Sequence, residues 1–284
     1  MTFISYAKNF EDVMLSGAPK HVGSGFYVDV GAAWPEEHSV TKAFNERDWR
    51  GINIEPDPML YAQLEQQRPK DINLCLAVSD HDATQVMNLM AGTGLSTLSG
   101  DIAQAHRRHD WNVASRQLTM TTLDAIWRQR VPGDQDVHFP KIDVEGFEAA
   151  ALRALNLREF RPWIVVVKSV LPLSQAESQK AWEPMLLDVE YLLAYVDGLN
   201  RYYVAKAHNK LLPVFRYRPN VFDESKLAEE LGAEIRAQQA YAQQMETSAR
   251  KETQRAETTR AERDALRASW SWCITGPLRF GGVC

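Results

Sequence analysis

Short apolar runs alternate with amphipathic segments over the first two thirds of the chain. The first five runs are almost continuously apolar, which is typical of strands buried on both faces of a parallel sheet. The predicted strands are 26–30, 51–54, 73–78, 138–142, 163–167, 191–196 and 201–205. Apolar residues at helical spacing predict helices at 36–47, 59–67, 122–129 and 147–155. This alternation predicts an α/β fold with a parallel sheet covered by helices.

The last two predicted strands are joined by a short polar segment, residues 197–200. Asp197, Gly198 and Asn200 are residues that favour a tight turn. The two strands are therefore expected to pair as an antiparallel hairpin. We predict a doubly wound sheet that carries this hairpin at one edge.

The composition changes after residue 222. Residues 223–268 contain no proline and one glycine, and Ala, Gln, Glu and Arg dominate, which predicts a long polar helix. The apolar seam of this helix is incomplete and suits either a solvent-exposed spacer or a short coiled coil with a second copy or another protein. The seam residues are Leu227, Leu231, Ile235, Tyr241 and Met245. We expect a domain at 1–220, the helix at 221–268 and an aromatic and basic tail at 269–284.

Composition and charge narrow the classes of function. The chain of 284 residues, 45% of them hydrophobic, is long enough to bury a sizeable core, and its formal net charge of −5 provides no basic field for nucleic acid. Cys75, Cys273 and Cys284 are too few for a disulfide framework or paired zinc ligands. No apolar stretch reaches the roughly 20 residues of a membrane helix. We expect a soluble, cytoplasmic protein without a signal peptide, a transmembrane segment or a nucleic-acid partner.

A glycine turn follows the first predicted strand of the sheet. Residues 25–35 run from a strand through Asp29 and Gly31 into the helix predicted from Glu36. The dinucleotide pattern G-x-G-x-x-G is incomplete, because Ala33 and Glu36 stand at its later glycine positions. An acid before the turn suits a cationic ligand such as S-adenosylmethionine better than a pyrophosphate. An ordinary strand-to-helix turn is the purely structural alternative.

Further acids follow other predicted strands. Glu55 stands where nucleoside-binding α/β sheets place the acid that accepts hydrogen bonds from ribose. Asp80 could bind an adenine amino group, although Asp also starts turns. Asp143 and Glu145 could orient a substrate, act as a base or hold a divalent ion such as Mg²⁺. Acids at a helix N-terminus, favoured by the helix dipole, are the alternative for this pair.

Several of these segments together resemble the FkbM-type S-adenosylmethionine-dependent methyltransferases. The matching blocks are 5–12, 26–33, 39–41, 49–56, 94–97, 141–148 and 161–163. The resemblance implies a class I methyltransferase (Rossmann-like) fold and O-methylation, often of a sugar in a natural product or surface polysaccharide. The resemblance implies that Asp29, Gly31 and Ala33 border the methionine moiety of the cofactor. It implies that Glu55 binds the ribose and Asp80 the adenine. It places Asp143 at the catalytic edge, where this residue also borders the cofactor.

Two features qualify this resemblance. Lys168 stands where the family commonly has a Glu, so the local charge is reversed. Residues 271–279 are similar to a Ser-Trp-Arg-x-Thr-x-Pro-Leu-Arg segment at the ends of bacterial glycan-modifying proteins, with Cys273 in place of the Arg. We therefore expect a sugar or glycan acceptor, and the C-terminal helix is a candidate contact for a glycan-assembly partner or a second copy.

A sugar hydroxyl is a poor nucleophile, so a nearby base is expected. The candidates are Asp143, Glu145, His106, His109 and, if its amine were neutral, Lys168. The two histidines lie in a basic, helix-like segment that follows a predicted lid at 92–97, and a solvated helix face is their alternative interpretation.

Two other functions are compatible with the sequence. The strand, glycine turn and distal acid also occur in NAD-dependent enzymes, although the missing glycines argue against that class. A degenerate methyltransferase fold that only recruits glycan-assembly partners is the second alternative, and Lys168 keeps it open.

Overall fold

Strands and helices alternate along residues 2–89, 114–172 and 174–275, which the computed structural model describes. The strands are β1 (Phe3–Ser5), β2 (Phe26–Val30), β3 (Arg50–Ile54), β4 (Ile72–Leu74), β5 (Ala77–Val78), β6 (Ala83–Leu89), β7 (Ala114–Thr121), β8 (Phe139–Ile142), β9 (Ile164–Lys168), β10 (Tyr191–Val196), β11 (Asn200–Ala205) and β12 (Ser225–Leu227). The α-helices are α1 (Glu11–Gly17), α2 (Lys42–Asn45), α3 (Pro58–Gln67), α4 (Leu123–Arg130), α5 (Glu148–Arg153), α6 (Glu183–Leu187) and α7 (Ala228–Thr275). The chain divides into two units, Met1–Leu227 and Ala228–Cys284.

The central sheet of the first unit has seven strands in the order β10-β11-β9-β8-β2-β3-β4. Strands β4, β3, β2, β8 and β9 are parallel, whereas β11 is antiparallel to both β9 and β10. The chain builds β2, β3 and β4 toward one edge and then returns to place β8 on the other side of β2. This arrangement confirms the predicted doubly wound α/β fold with an antiparallel hairpin at one edge, and the order reverses between β2 and β8.

Apolar side chains cover both faces of this sheet. Phe26, Val28 and Val30 of β2 pack in one buried cluster, and Tyr27, between Phe26 and Val28, packs in another. This division follows from the strand geometry, because successive side chains point to opposite faces. The near-continuous apolar runs in the sequence therefore predicted doubly covered strands correctly.

The run 73–78, predicted as one strand, is divided between two sheets. Strand β4 ends at Leu74 and pairs with β3, whereas β5 pairs in parallel with β7 in a three-stranded sheet of order β5-β7-β6. Leu76, in the segment between the two strands, packs against the core of the central sheet. Apolar residues continue from Leu74 to Val78 across the change of sheet, so the sequence pattern does not show where one sheet ends.

The helix predicted at 36–47 is wrong for most of its length. Only α2 is helical there. His38 adopts a left-handed φ of 58° and forms an isolated parallel bridge with Ala7, which a right-handed helix does not allow. The predicted helix at 147–155 is shorter in the structure, where α5 spans Glu148–Arg153.

Helix α7 forms the described part of the second unit. It begins at Ala228 rather than at residue 223, because residues 225–227 form β12, which pairs in parallel with β1. Residues 233–268 of this helix are exposed, and a partner on its seam stays a prediction. Among the helices that the structure describes, none has both the length and the apolar surface needed to cross a lipid bilayer.

Candidate functional site

A tight turn joins the end of β2 to the ends of its two neighbours. Gly31 has a φ of 81°, and its N–H donates to the Ile54 carbonyl at 2.9 Å, as does the N–H of Ala32 at 3.1 Å. A Cβ added to Gly31 would lie 1.9 Å from the carbonyl oxygen of Asp143. Both the backbone conformation and this close approach therefore require glycine.

Glu55 holds the turn after β2 to the turn after β3. Its Oε2 accepts a 2.8 Å hydrogen bond from the N–H of Ala33, and its Oε1 accepts one of 2.8 Å from the N–H of Asp57. The side chain is buried, and this burial raises its pKa to about 7. Glu55 thus lies at the predicted strand end and also has a structural task there.

Asp29 lies in the sheet interior, where other side chains balance its charge. In the β2–β8 register Asp29 stands opposite Lys141, whose Nζ lies 3.6 Å from Asp29 Oδ1 and donates to the Gly31 carbonyl at 3.1 Å. The Thr41 hydroxyl donates to Asp29 Oδ2 at 2.8 Å. Asp29 is only 1% exposed, so it lies beneath the turn that it was predicted to flank.

Lys168, at the end of β9, binds two carboxylates that follow β8. Its Nζ lies 3.1 Å from Asp143 Oδ1 and 2.6 Å from Glu145 Oε1. Burial opposes the charged ammonium, but attraction to Asp143 and Glu145 outweighs burial and raises the pKa of Lys168. The amine is therefore protonated at neutral pH, and we infer that Lys168 acts as a cation rather than as a base.

The two carboxylates beside Lys168 respond differently to the same surroundings. Burial favours the neutral acid in both cases, yet the nearby Lys168 and Lys141 ammonium groups lower the pKa of Asp143. For Glu145, burial and repulsion from Asp143 prevail over Lys168 and raise the pKa to about 7. Asp143 is thus ionised at neutral pH, whereas Glu145 exchanges a proton near neutrality.

A backbone turn holds Glu145 in this position. Glu145 has a left-handed φ of 49°, which is uncommon for a residue with a side chain. Glu148 Oε1 accepts hydrogen bonds of 3.2 Å from the N–H groups of Val144 and Gly146, on either side of Glu145. The first residue of α5 therefore stabilises the conformation that aims Glu145 at its partners.

These strand ends surround a cleft of about 460 Å³, a volume that includes its open mouth. The crevice between β2 and β8 is where open α/β sheets bind ligands. The lining residues are Gly31, Ile54, Glu55, Pro56, Leu76, Ala77, Val78, Met87, Asp143, Val144, Glu145 and Phe147. The structure thus brings four predicted site residues, at positions 31, 55, 143 and 145, to one cavity.

Other predicted site residues lie apart from this cleft. Asp80 is exposed, and its carboxylate pairs with His81 and Arg153, each at 2.7 Å. The cleft wall near β5 is instead apolar, from Leu76 to Val78. The predicted bases His106 and His109, with the predicted lid at 92–97, lie outside the described residues.

Arg68 was missed by the sequence analysis. The residue is 1% exposed, and its guanidinium donates to Thr41 Oγ1 and Ser39 Oγ, each at 2.7 Å, and to the Pro35 carbonyl. Because Thr41 in turn donates to Asp29, Arg68 fixes the irregular segment after the Gly31 turn. The hydroxyl-rich block 39–41 was the only signal in the sequence, and it did not identify its partner.

The charges around the cleft suit a cationic ligand better than a free metal ion. The Lys141 ammonium lies 3.6 Å from carboxylates of Asp29 and Asp143, and the Lys168 ammonium contacts Asp143 and Glu145, while Glu55 lines the same cleft. Within the described ranges, no group of three or more His, Cys, Asp or Glu is arranged to hold a metal ion. The place between Asp143 and Glu145, where a divalent ion would bind both, is taken by the Lys168 ammonium.

Comparison with known proteins gives distant structural matches and one family match. A TehB-like SAM-dependent methyltransferase from Corynebacterium glutamicum ATCC 13032 is 10% identical, with a TM-score of 0.37 over 69% of this chain and 88% of that one. A putative O-methyltransferase from Klebsiella pneumoniae is also 10% identical, with a TM-score of 0.30 over 71% of this chain and 82% of that one. No curated protein matches the chain.

The family match covers most of the first unit. The model of the methyltransferase FkbM domain matches residues 29–209, which extend from the last but one residue of β2 past the end of β11. The matched range contains the Gly31 turn, Glu55, and the Asp143, Glu145 and Lys168 cluster. This chain therefore belongs to the FkbM methyltransferase family.

Proposed function

We propose that this protein transfers a methyl group from S-adenosylmethionine to a hydroxyl group of a sugar or glycan. One observation carries the proposal: Glu55, Asp143 and Glu145 line a single cleft at the point where the strand order of the sheet reverses. Membership in the FkbM family supports S-adenosylmethionine-dependent methyl transfer. The likeness of residues 271–279 to the ends of glycan-modifying proteins supports the acceptor class.

The cleft has the groups that such a cofactor needs. The Gly31 turn allows close approach of the main chain, and Glu55 is placed to accept hydrogen bonds from ribose hydroxyls. Leu76, Val78 and Met87 offer an apolar surface to the adenine base of the cofactor. The excess of carboxyl groups favours a cation, and the bound cofactor supplies a methyl group activated by a positive sulfur.

Glu145 and Asp143 have different proposed roles toward the acceptor. Glu145, whose pKa is about 7, is suited to take the proton of the acceptor hydroxyl as its oxygen bonds to the methyl carbon and the carbon–sulfur bond breaks. Asp143, which stays ionised, is suited to orient that hydroxyl. His106 and His109 stay candidate bases, and Asp80 stays a candidate contact for adenine.

Binding calorimetry provides the first test. We expect S-adenosylhomocysteine to bind and NAD not to bind, because the carboxyl groups around the Gly31 turn disfavour a pyrophosphate. Tight binding of NAD without detectable binding of S-adenosylhomocysteine would contradict the proposed methyltransferase activity and favour the NAD-dependent alternative.

Mass spectrometry provides the second test. Candidate sugars and glycans incubated with the protein and S-adenosylmethionine should gain the mass of one methyl group. Binding of S-adenosylhomocysteine without methylation of any glycan acceptor would favour the alternative of a non-catalytic glycan-assembly module.

A further inference from the structure

The pairing of β8 with β9 fixes Lys168 opposite the cleft carboxylates. Ile142, the last residue of β8, stands opposite Val167 in the parallel register. The next residue on each strand path is therefore Asp143 on one side and Lys168 on the other. The register therefore brings the two residues side by side, and their side chains make the contact.

The Lys168 ammonium bridges two carboxylates from within a shielded position. Its Nζ reaches Asp143 Oδ1 at 3.1 Å and Glu145 Oε1 at 2.6 Å. The side chains of Lys168 and Glu145 are only 15% and 7% exposed. Lys141 lies 3.6 Å from Asp143 Oδ2, on the side away from this bridge. Lys168 is thus the described cation that links the two acids.

A divalent ion and an ammonium compete for this place. Mg²⁺ and Ca²⁺ bind carboxylate oxygens at about 2.0–2.6 Å and require several open ligand positions. The ammonium already lies between the oxygens that such an ion would bind, and its charge repels a second cation. The residues present therefore do not fit a metal ion while Lys168 is in place.

We propose that Lys168 is the permanent cation of this site and performs the positioning task that a divalent ion would otherwise perform for Asp143 and Glu145. The proposal rests on the proposed function where it concerns methyl transfer. Lys168 is a positioning residue, because it acts on the acceptor through the two carboxylates. It follows that the wild-type enzyme works without divalent ions, and that removal of the ammonium leaves a carboxylate pair able to recruit one.

The test compares wild-type protein with Lys168→Met, which keeps the apolar stem, and with Lys168→Arg, which keeps the charge. Lys206→Met is the matched control, because Lys206 pairs with Glu190 at 2.5 Å on the exposed surface. Mn²⁺ binding to each full-length protein is followed by electron paramagnetic resonance, without cofactor or acceptor. Methyl transfer is then measured with chelator, with Mg²⁺ and with Mn²⁺.

We expect Lys168→Met to bind one more Mn²⁺ than the wild type, and the added Asp143→Asn change to abolish this binding. In the presence of chelator, the methyl-transfer rate of Lys168→Met should fall about 100-fold below that of the wild type, because the carboxylates are misplaced. Added Mg²⁺ or Mn²⁺ should raise this rate again by at least about tenfold. Wild type, Lys168→Arg and Lys206→Met should bind no ion in the cleft, and chelator should leave their rates unchanged.

Two results would overturn the proposal. One is wild-type binding of Mn²⁺ that Asp143→Asn removes, and the other is a folded Lys168→Met protein that gains no Mn²⁺. If Lys168→Met does not fold, the wild-type and Lys168→Arg titrations decide, since Mn²⁺ binding that depends on Asp143 in either protein contradicts the proposal. The Mn²⁺ measurements need no methyl transfer, so a failure of the proposed function is recognised separately, by absent methylation of every acceptor.

Discussion

The N–H of Ala33 donates a 2.8 Å hydrogen bond to Oε2 of Glu55, and this contact joins the turn after β2 to the turn after β3. The second oxygen of Glu55 accepts from the N–H of Asp57. The carboxyl group therefore shapes this side of the cleft before any ligand binds. Its structural role and its proposed role toward ribose need to be separated by experiment.

Replacement of Glu55 should weaken cofactor binding. We expect Glu55→Ala to reduce the affinity for S-adenosylhomocysteine by about 1.5–3 kcal/mol, through loss of charge-assisted hydrogen bonds. Isothermal titration calorimetry measures the dissociation constant. Glu65→Ala removes an exposed carboxyl group from α3 and is the control. Glu55→Gln, which keeps one acceptor for the backbone, shows how much of the loss is structural. An unchanged constant in Glu55→Ala would contradict the ribose role.

Replacement of Asp143 should remove turnover and leave cofactor affinity largely intact. Asp143→Ala takes away the ionised group that we propose orients the acceptor, and we expect a loss of about 100-fold or more in kcat. Methyl-transfer rates and calorimetry on the same preparation give the two quantities. Asp134→Ala, at an exposed position, is the control. Normal turnover in Asp143→Ala would refute the assignment of this residue to the catalytic edge.

The pH dependence of the rate should report Glu145. A base acts in its deprotonated form, so kcat/KM should rise with pH up to about 7, the pKa that burial gives Glu145, and then level off. In Glu145→Gln this rise should disappear together with most of the activity. The Glu65→Ala variant should keep the wild-type profile. A wild-type rate that does not change through neutral pH would rule out Glu145 as the base.

Arg68 should contribute strongly to stability. Arg68→Met leaves the Pro35 carbonyl and the Ser39 and Thr41 hydroxyls without their buried donor, and we expect the free energy of unfolding to fall by about 3 kcal/mol. Denaturant unfolding of both proteins measures the difference. Arg130→Met, on the exposed end of α4, should change the stability little. Equal stability of wild type and Arg68→Met would show that this network does not hold the segment.

The sequence predicted the elements whose pattern reports burial directly. Strands 26–30 and 51–54 are present as expected, because two covered faces require continuous apolar runs, and the hairpin around Gly198 is present because residues 197–200 favour a tight turn. The helix predicted at 36–47 is mostly absent, although the buried apolar residues of this segment have the spacing of a helix. Val40, Ala43 and Phe44 are buried at helical spacing, yet Arg68 and the bridge of His38 hold most of the segment in an irregular path.

The candidate site was predictable to the extent that it depends on strand ends. Glu55, Asp143 and Glu145 follow parallel strands, so they meet at one edge of the sheet whatever the strand order. The partners of Asp29 and Asp143 depend on which strands are neighbours and in which register. Lys141 opposite Asp29 and Lys168 beside Asp143 are consequences of the pairing of β8 with β2 and β9. A single sequence does not contain that information.

The close packing of Gly31 against the Asp143 carbonyl has a practical consequence for redesign of the pocket. Even a methyl group at position 31 would wedge two neighbouring strands apart and so displace both halves of the pocket together. Attempts to enlarge or retune it are better begun on the aliphatic wall around Leu76 and Val78, where a change in side-chain volume leaves that main-chain junction undisturbed.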